Sequence, residues 1–101
     1  MDQLQGTQYV ESWVKRKDAG NLLTPPVGDR QLRKYLKLAS LYLPSFQQFR
    51  DKEQGGLNRY ARLSQWHIPT LQRIRTYARD YGMKKLRIQL SHNPQYFEEL
   101  T

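Results

Sequence analysis

Few side chains in this 101-residue chain have the types and spacing that catalysis or metal binding requires. The two histidines, His67 and His92, have no metal-ligand spacing to each other or to a carboxylate pair. Glu98 and Glu99 are adjacent, so on a helix they diverge instead of forming an acid–base pair. The Gly-Gly pair at 55–56 lies outside any GxxxxGK or GxGxxG pattern and therefore predicts a turn. We expect a protein that is not an enzyme and has no metal or cofactor.

The cations are the residues that do suggest a chemistry. The chain has 17 Lys and Arg against nine Asp and Glu, a net charge of +8. Residues 1–28 are neutral, whereas 29–50 hold five bases and one acid (+4) and 57–101 hold eight bases and three acids (+5). Clustered cations favour a polyanionic partner, because neutralising phosphates releases counterions.

Composition limits the remaining classes. The absence of cysteine excludes disulfides, thiolate zinc sites and iron–sulfur clusters. The polar N-terminal segment does not have the apolar stretch of a signal peptide, and no apolar run approaches the ~20 residues of a membrane span. With 38% apolar residues, the chain can form one domain with a modest core. We expect a soluble cytoplasmic protein that is nucleoid-associated if it binds DNA and that makes no membrane contact.

The clearest periodicity predicts a helix over 68–81. Apolar residues recur at steps of three and four and form one stripe, and Gly82 ends the helix. The stripe consists of Ile68, Leu71, Ile74, Ala78 and Tyr81. The opposite face is predicted to be polar and largely cationic, with Gln72, Arg75, Thr76 and Arg79.

A second helix is predicted over 29–43, with Asp29 as its N-cap and Pro44 as its end. Its buried stripe is Leu32, Leu36, Ala39 and Leu43, flanked by Tyr35 and Tyr42. Its other side carries Arg30, Lys34 and Lys37, with Arg33 beside them. A helix with a cationic outer face has the shape that enters a DNA major groove.

Weaker patterns complete the chain. Residues 7–17 predict a helix that buries Trp13, and 21–28 predict a connector. Phe46 and Phe49 are expected to point inward, before two short strands or an extended loop around 51–56. Residues 84–90 fit both a strand and a helix, and both readings remain open. Asn93-Pro94 predicts the start of a short C-terminal helix.

Two placements of a DNA-binding helix pair are compatible with these elements. One is a helix-turn-helix at 58–77, in which Gln72, Arg73, Arg75 and Arg79 address DNA. The other pairs helix 7–17 with helix 29–43 and uses 51–60 as a wing.

A further set of residues matches a known pattern in type and order. These residues are Leu32-Arg33-Lys34-Tyr35, Gly55-Gly56, Arg59-Tyr60, Ser64, Ile68, Leu71, Ile74, Gly82, Leu86 and Ile88. Residues 29–88 thereby resemble the DNA-binding domain of the MerR superfamily, a winged helix-turn-helix. The expected protein is a minimal member without the long dimerisation helix and the effector domain. The resemblance implies a recognition helix at 29–43 in the major groove and a wing at 51–60 on the backbone.

Roles follow for individual residues. Arg33, Lys34 and Lys37 would face the groove, where an Arg pairing with guanine is the commonest specific contact. Phosphate contacts would come from Arg30, Tyr35, Arg59 and Tyr60, with Arg62 and His67 as further candidates. For Tyr35 and Tyr60, packing in the core is the alternative role.

The resulting fold prediction is mainly α with a small β wing, a winged helix-turn-helix-like single domain over 1–101. Residues 1–6 form a tail, 7–90 the winged-helix core and 91–101 a short C-terminal helix. The predicted function is sequence-specific binding of double-stranded DNA, as a small transcriptional regulator or excisionase-like factor, with or without a homodimer. The alternatives are binding of RNA, through exposed aromatic residues, or binding and inhibition of an acidic protein partner by a small basic protein of a phage or mobile element.

Overall fold

Helices account for most of residues 13–58 and 60–98, the part of the chain that this computed structural model describes. The elements are β1 (Trp13–Val14), α1 (Arg16–Ala19), α2 (Asp29–Tyr42), β2 (Leu63–Ser64), α3 (Ile68–Tyr81), α4 (Met83–His92) and α5 (Gln95–Glu98). Three 3-10 helices cover Gly20–Leu22, Pro44–Phe49 and Gln65–His67. The predicted class, mainly α with a small β element, is confirmed.

The small sheet lies elsewhere than predicted. β1 and β2 pair antiparallel, with Trp13 opposite Ser64 and Val14 opposite Leu63. The predicted helix 7–17 is therefore wrong at 13–14, where the backbone is a strand, and its first six residues lie outside the described part. This sheet joins segments about fifty residues apart, which no local periodicity can indicate.

Within the predicted wing, residues 51–58 form a turn beside one antiparallel bridge, Arg50 to Leu57. Of the two forms predicted for 51–56, two short strands or an extended loop, the strands do not form there. The Asp51 carboxylate accepts hydrogen bonds from the backbone N–H groups of Glu53 (3.0 Å) and Gln54 (3.1 Å). These bonds satisfy the donors at the tip of the turn, as an Asp side chain at the start of a turn commonly does. Gly55 and Gly56 have φ of +75° and +80°, which explains the glycine pair.

Helix α2 forms as the periodicity predicts, and all four residues of its predicted stripe are at most 1% exposed. Gly28, not Asp29, is the N-cap, and Asp29 is the first helical residue. The helix packs on the aromatic pair that follows it, Phe46 and Phe49, both 0% exposed as predicted.

The ambiguous segment 84–90 is helical. Leu86 and Leu90, four residues apart, are both fully buried, whereas Ile88 between them is 48% exposed. Of the two patterns in 84–90, the four-residue spacing of Leu86 and Leu90 thus matches the structure, and the alternation typical of a strand does not. Gly82, with φ of +93°, separates α3 from α4, and α5 forms where Asn93-Pro94 predicted a helix.

The polar side of α3 holds the connector. Gln72 donates to the Thr24 carbonyl (2.9 Å) and accepts from the Thr24 N–H (2.8 Å). Arg75 donates from Nε to the Pro25 carbonyl at 3.0 Å. The predicted polar face of α3 is therefore partly occupied, because two of its four residues, Gln72 and Arg75, bind the connector backbone. The helix-turn-helix at 58–77 is wrong, since Leu63–Ser64 is a strand.

Gly20 permits the connector to fold back. The Val27 N–H donates to the Gly20 carbonyl at 3.0 Å, and a Cβ built on Gly20 would lie 2.2 Å from the Val27 oxygen. The backbone of Val27 therefore lies too close to Gly20 for any side chain at position 20.

We expect Gly20→Ala to lower the free energy of unfolding by about 1–3 kcal/mol, the range for overpacked interiors, because the connector must shift. Urea unfolding followed by circular dichroism measures the change. Asn21→Ala, at an exposed position of the same turn, should have much less effect. Equal stability of G20A and N21A would contradict the steric argument.

Candidate nucleic-acid interface

The outer side of α2 carries the exposed cations that the sequence indicated. Arg30, Lys34 and Lys37 lie along one side of the helix at steps of four and three residues, and all are exposed. Arg33 is exposed beside them, and its Nε lies 3.1 Å from Asp29 Oδ2. This ion pair is solvated, with side chains 67% and 57% exposed, so it contributes little stability. Arg33 can therefore exchange Asp29 for another anion at low cost.

Helix α4 adds two cations that the sequence analysis missed. Lys84 and Arg87 face Lys34 and Lys37 across a groove of about 380 Å³ between α4 and α2. Apolar side chains complete the lining, and no carboxylate contributes to it. The signal in the sequence was the i, i+3 spacing of Lys84 and Arg87, which has this meaning only once 84–90 is read as a helix.

We call the following residues the cationic face: Arg30, Arg33, Lys34 and Lys37 of α2 with Lys84 and Arg87 of α4. Among the described residues, the Arg33–Asp29 pair is the one ion pair that any of them makes. No acid of the described residues pairs with the other five cations.

Tyr35 is not at this surface. It is 1% exposed and belongs to the core, and its hydroxyl lies 3.5 Å from Nη1 of Arg75. The predicted phosphate contact by Tyr35 is wrong, and the core alternative is correct. Position 35 lies on the side of α2 that turns towards α3, one residue away from the exposed Lys34.

His67 is also buried, at 7% exposure, so its predicted phosphate contact is wrong. Its Nδ1 accepts a hydrogen bond from the Ser64 N–H at 3.0 Å, while Nε2 lies 3.1 Å from the Ser45 carbonyl oxygen. The ring packs against Phe46 and Phe49, with centroid separations of 4.6 and 5.3 Å. This geometry fits the neutral imidazole with its proton on Nε2.

Tyr60 and Arg62 lie on a second surface, beside the sheet. Tyr60 is 80% exposed and Trp13 is 46% exposed, and the Arg62 guanidinium lies 5.8 Å from the Trp13 ring centroid. With Lys15 they line an open groove of about 590 Å³. The expected burial of Trp13 in the core is wrong, because its strand forms an edge of the domain. Arg59 lies outside the described residues.

Arg16 fixes this second surface to the body of the domain. Its Nη2 donates to the carbonyl oxygens of Asn58 (2.6 Å) and Ala61 (2.8 Å). Its guanidinium lies 5.4 Å from the Phe49 ring centroid. Burial, and to a smaller extent the nearby charge of Arg33, lowers the pKa of Arg16. Arg16 is thus a structural cation, which the sequence did not distinguish from the ligand-facing cations.

Other site types find no support in the described residues. Within 13–58 and 60–98, no three His, Asp or Glu side chains are grouped as a metal site requires. In the same ranges, no helix has both the length and the apolar composition needed to cross a bilayer.

No known protein family, curated protein or solved structure matches this chain. The resemblance to the MerR superfamily therefore stays a prediction, as does the expectation that the protein is not an enzyme.

The burial of His67 predicts a pH-dependent stability. Burial lowers the pKa of His67 below the ordinary value of 6.5. Between the native pKa and about 6.5, the unfolded state binds more protons than the native state. The contribution of the neutral His67 to the free energy of unfolding should therefore be at its maximum above about pH 6.5. It should decrease as the pH falls towards the native pKa.

Urea unfolding at several pH values between about 5 and 7.5 tests this linkage around the His67 pKa. His67→Gln should flatten the slope and cost about 1–3 kcal/mol at pH 7, because it disturbs buried hydrogen bonds. His92→Gln, at an exposed position, should leave the profile unchanged. If the slope persists in H67Q, the linkage does not arise from this imidazole.

Proposed function

We propose that the protein binds double-stranded DNA through the cationic face, with α2 in the major groove. The observation that carries this proposal is the grouping of six exposed cations on two neighbouring helices. Four of them line the groove between the helices, and no carboxylate of the described residues lines it. In a solvated helix face with no ligand, oppositely charged residues are usually interspersed.

The dimensions of α2 suit this role. Its 14 residues extend for about 21 Å at 1.5 Å per residue, and a major groove about 12 Å wide admits an α-helix. Arg33, Lys34 and Lys37 would then address base edges or the groove walls. Lys84 and Arg87, on the flanking helix, would contact phosphates of the adjacent backbone.

The buried face of α2 supports the proposal because it gives the outer face a fixed orientation. Leu32, Leu36 and Ala39 are at most 1% exposed, so the helix cannot rotate without loss of core packing. A rigidly mounted helix presents its cations in one register, which sequence discrimination requires. Such a protein would act in the cytoplasm, on the nucleoid, as a small regulator or excisionase-like factor.

A salt titration tests the proposal. Fluorescence anisotropy with a random duplex of roughly two helical turns should show affinity falling by about 10³-fold between ~50 and ~200 mM salt, if six phosphates are neutralised. A single-stranded RNA of equal length serves as the comparison. Absence of duplex binding at ~50 mM salt would overturn the proposal.

Each phosphate-contacting cation of the cationic face should contribute to the salt dependence of duplex binding. Lys37→Ala and Lys84→Ala should each reduce the slope of log K against log salt by about 1. Arg79→Ala is the matched control, because it also removes one exposed cation. Arg79 lies on α3, outside the cationic face, and pairs there with Asp80. Equal losses in all three variants would indicate a response to net charge alone and would contradict a defined interface.

RNA binding is a second candidate function, favoured by the surface beside the sheet. Trp13 and Tyr60 are exposed aromatic rings, and Arg62 lies over Trp13. Aromatic rings and guanidinium groups stack on the bases of single-stranded RNA. Tighter binding of the RNA than of the duplex in the same titration would favour this function.

A further inference from the structure

The groove between α2 and α4 has an apolar floor that DNA binding does not require. Leu38, Leu41 and Met83 line it between the cations. Leu41 is 41% exposed, and the other two are partly buried and pack against the core. Phosphates and most groups on base edges are polar, so a duplex would leave this floor without a complementary surface.

Single exposed leucines are common and have no implication by themselves. This groove differs because its floor is flanked on both sides by cations. Lys34 and Lys37 lie on the α2 side, and Lys84 and Arg87 lie on the α4 side. The described structure pairs none of the four with an acid. An occupant that satisfies both features must be apolar along one stripe and anionic on both edges of that stripe.

We propose that the groove docks an acidic amphipathic helix of a partner protein. Apolar residues at i, i+3, i+4 and i+7 would cover Leu38, Leu41 and Met83, and Asp or Glu on either side would meet the two rows of cations. The volume of about 380 Å³ is too small for a helix body of about 10–12 Å diameter. The partner helix therefore rests on the groove and inserts side chains only.

A helix fits better than an extended segment. Both walls of the groove are helices, whose backbone groups are bonded internally, so the groove has no sheet edge to which a strand could add. The inference does not depend on DNA binding. If the proposed function also holds, the partner helix and a duplex would compete, because they share Lys34 and Lys37.

The test uses a synthetic peptide of roughly five helical turns, with Leu at i, i+3, i+4 and i+7 and Glu on the flanks. A control peptide of the same composition distributes its Leu residues evenly around the helix. Binding is measured by fluorescence anisotropy at ~150 mM salt, where screening weakens purely electrostatic attraction. We expect the amphipathic peptide to bind at least about tenfold more tightly than the control.

Leu41→Gln should lower the affinity for the amphipathic peptide by about tenfold. It should change the affinity for duplex DNA by less than about twofold. Leu22→Gln, at another exposed leucine (53%) outside the groove, should change neither affinity. Arg87→Glu should also lower the affinity for the amphipathic peptide, because the new carboxylate repels the Glu residues of the peptide. All three positions are exposed, so we expect each variant to fold. Circular dichroism is the check for this.

Equal affinity for the two peptides, or unchanged peptide affinity in L41Q, would overturn the inference. These failures are distinct from failure of the proposed function. Duplex binding without preference for the amphipathic peptide would leave only the DNA proposal. Selective peptide binding without duplex binding would support the docking groove and overturn the DNA proposal.

Discussion

The buried imidazole of His67 is the joint on which the arrangement of the domain depends. His67 directly precedes α3: its Nδ1 accepts a hydrogen bond from the Ser64 N–H at the end of β2, and its Nε2 lies 3.1 Å from the Ser45 carbonyl oxygen just after α2. It also packs against the two phenylalanines on which α2 rests. The ring thus connects the segment before α3 with the segment that follows α2. Together with the core packing of Leu32, Leu36 and Ala39, this joint sets the direction in which α2 presents its cations.

The cations of the chain have two different roles, and their surroundings separate them. Arg16 and Arg75 donate to backbone carbonyl groups and hold loops in place. Among residues 13–58 and 60–98, the one ion pair of the cationic face is the solvated pair of Arg33 with Asp29. A guanidinium that donates to part-buried carbonyl oxygens is less available to a ligand, because its withdrawal would leave those oxygens unpaired. The net charge therefore overstates the surface that can attract a polyanion.

The two proposals share the cations of one groove and differ in the use of its apolar floor. Duplex DNA requires the positive potential of α2 and α4 and is indifferent to what lies between them. A partner helix requires the apolar floor as well, and the cations would set its orientation and exclude neutral helices. Because the proposed partner helix would use Leu41 and a duplex would not, substitution of this exposed residue distinguishes the two ligands.

The sequence by itself determined the elements whose information is local. The spacing of Leu32, Leu36 and Ala39 specified α2, and Gly82 marked the end of α3, because helix periodicity and glycine conformations depend on near neighbours. The tertiary structure alone decided the pairing of Trp13 with Ser64, the burial of Tyr35 and His67, and the use of Gln72 and Arg75 on the connector. It also decided that Lys84 and Arg87 face α2. These outcomes depend on contacts between residues distant in the chain, whose free energies no local pattern encodes.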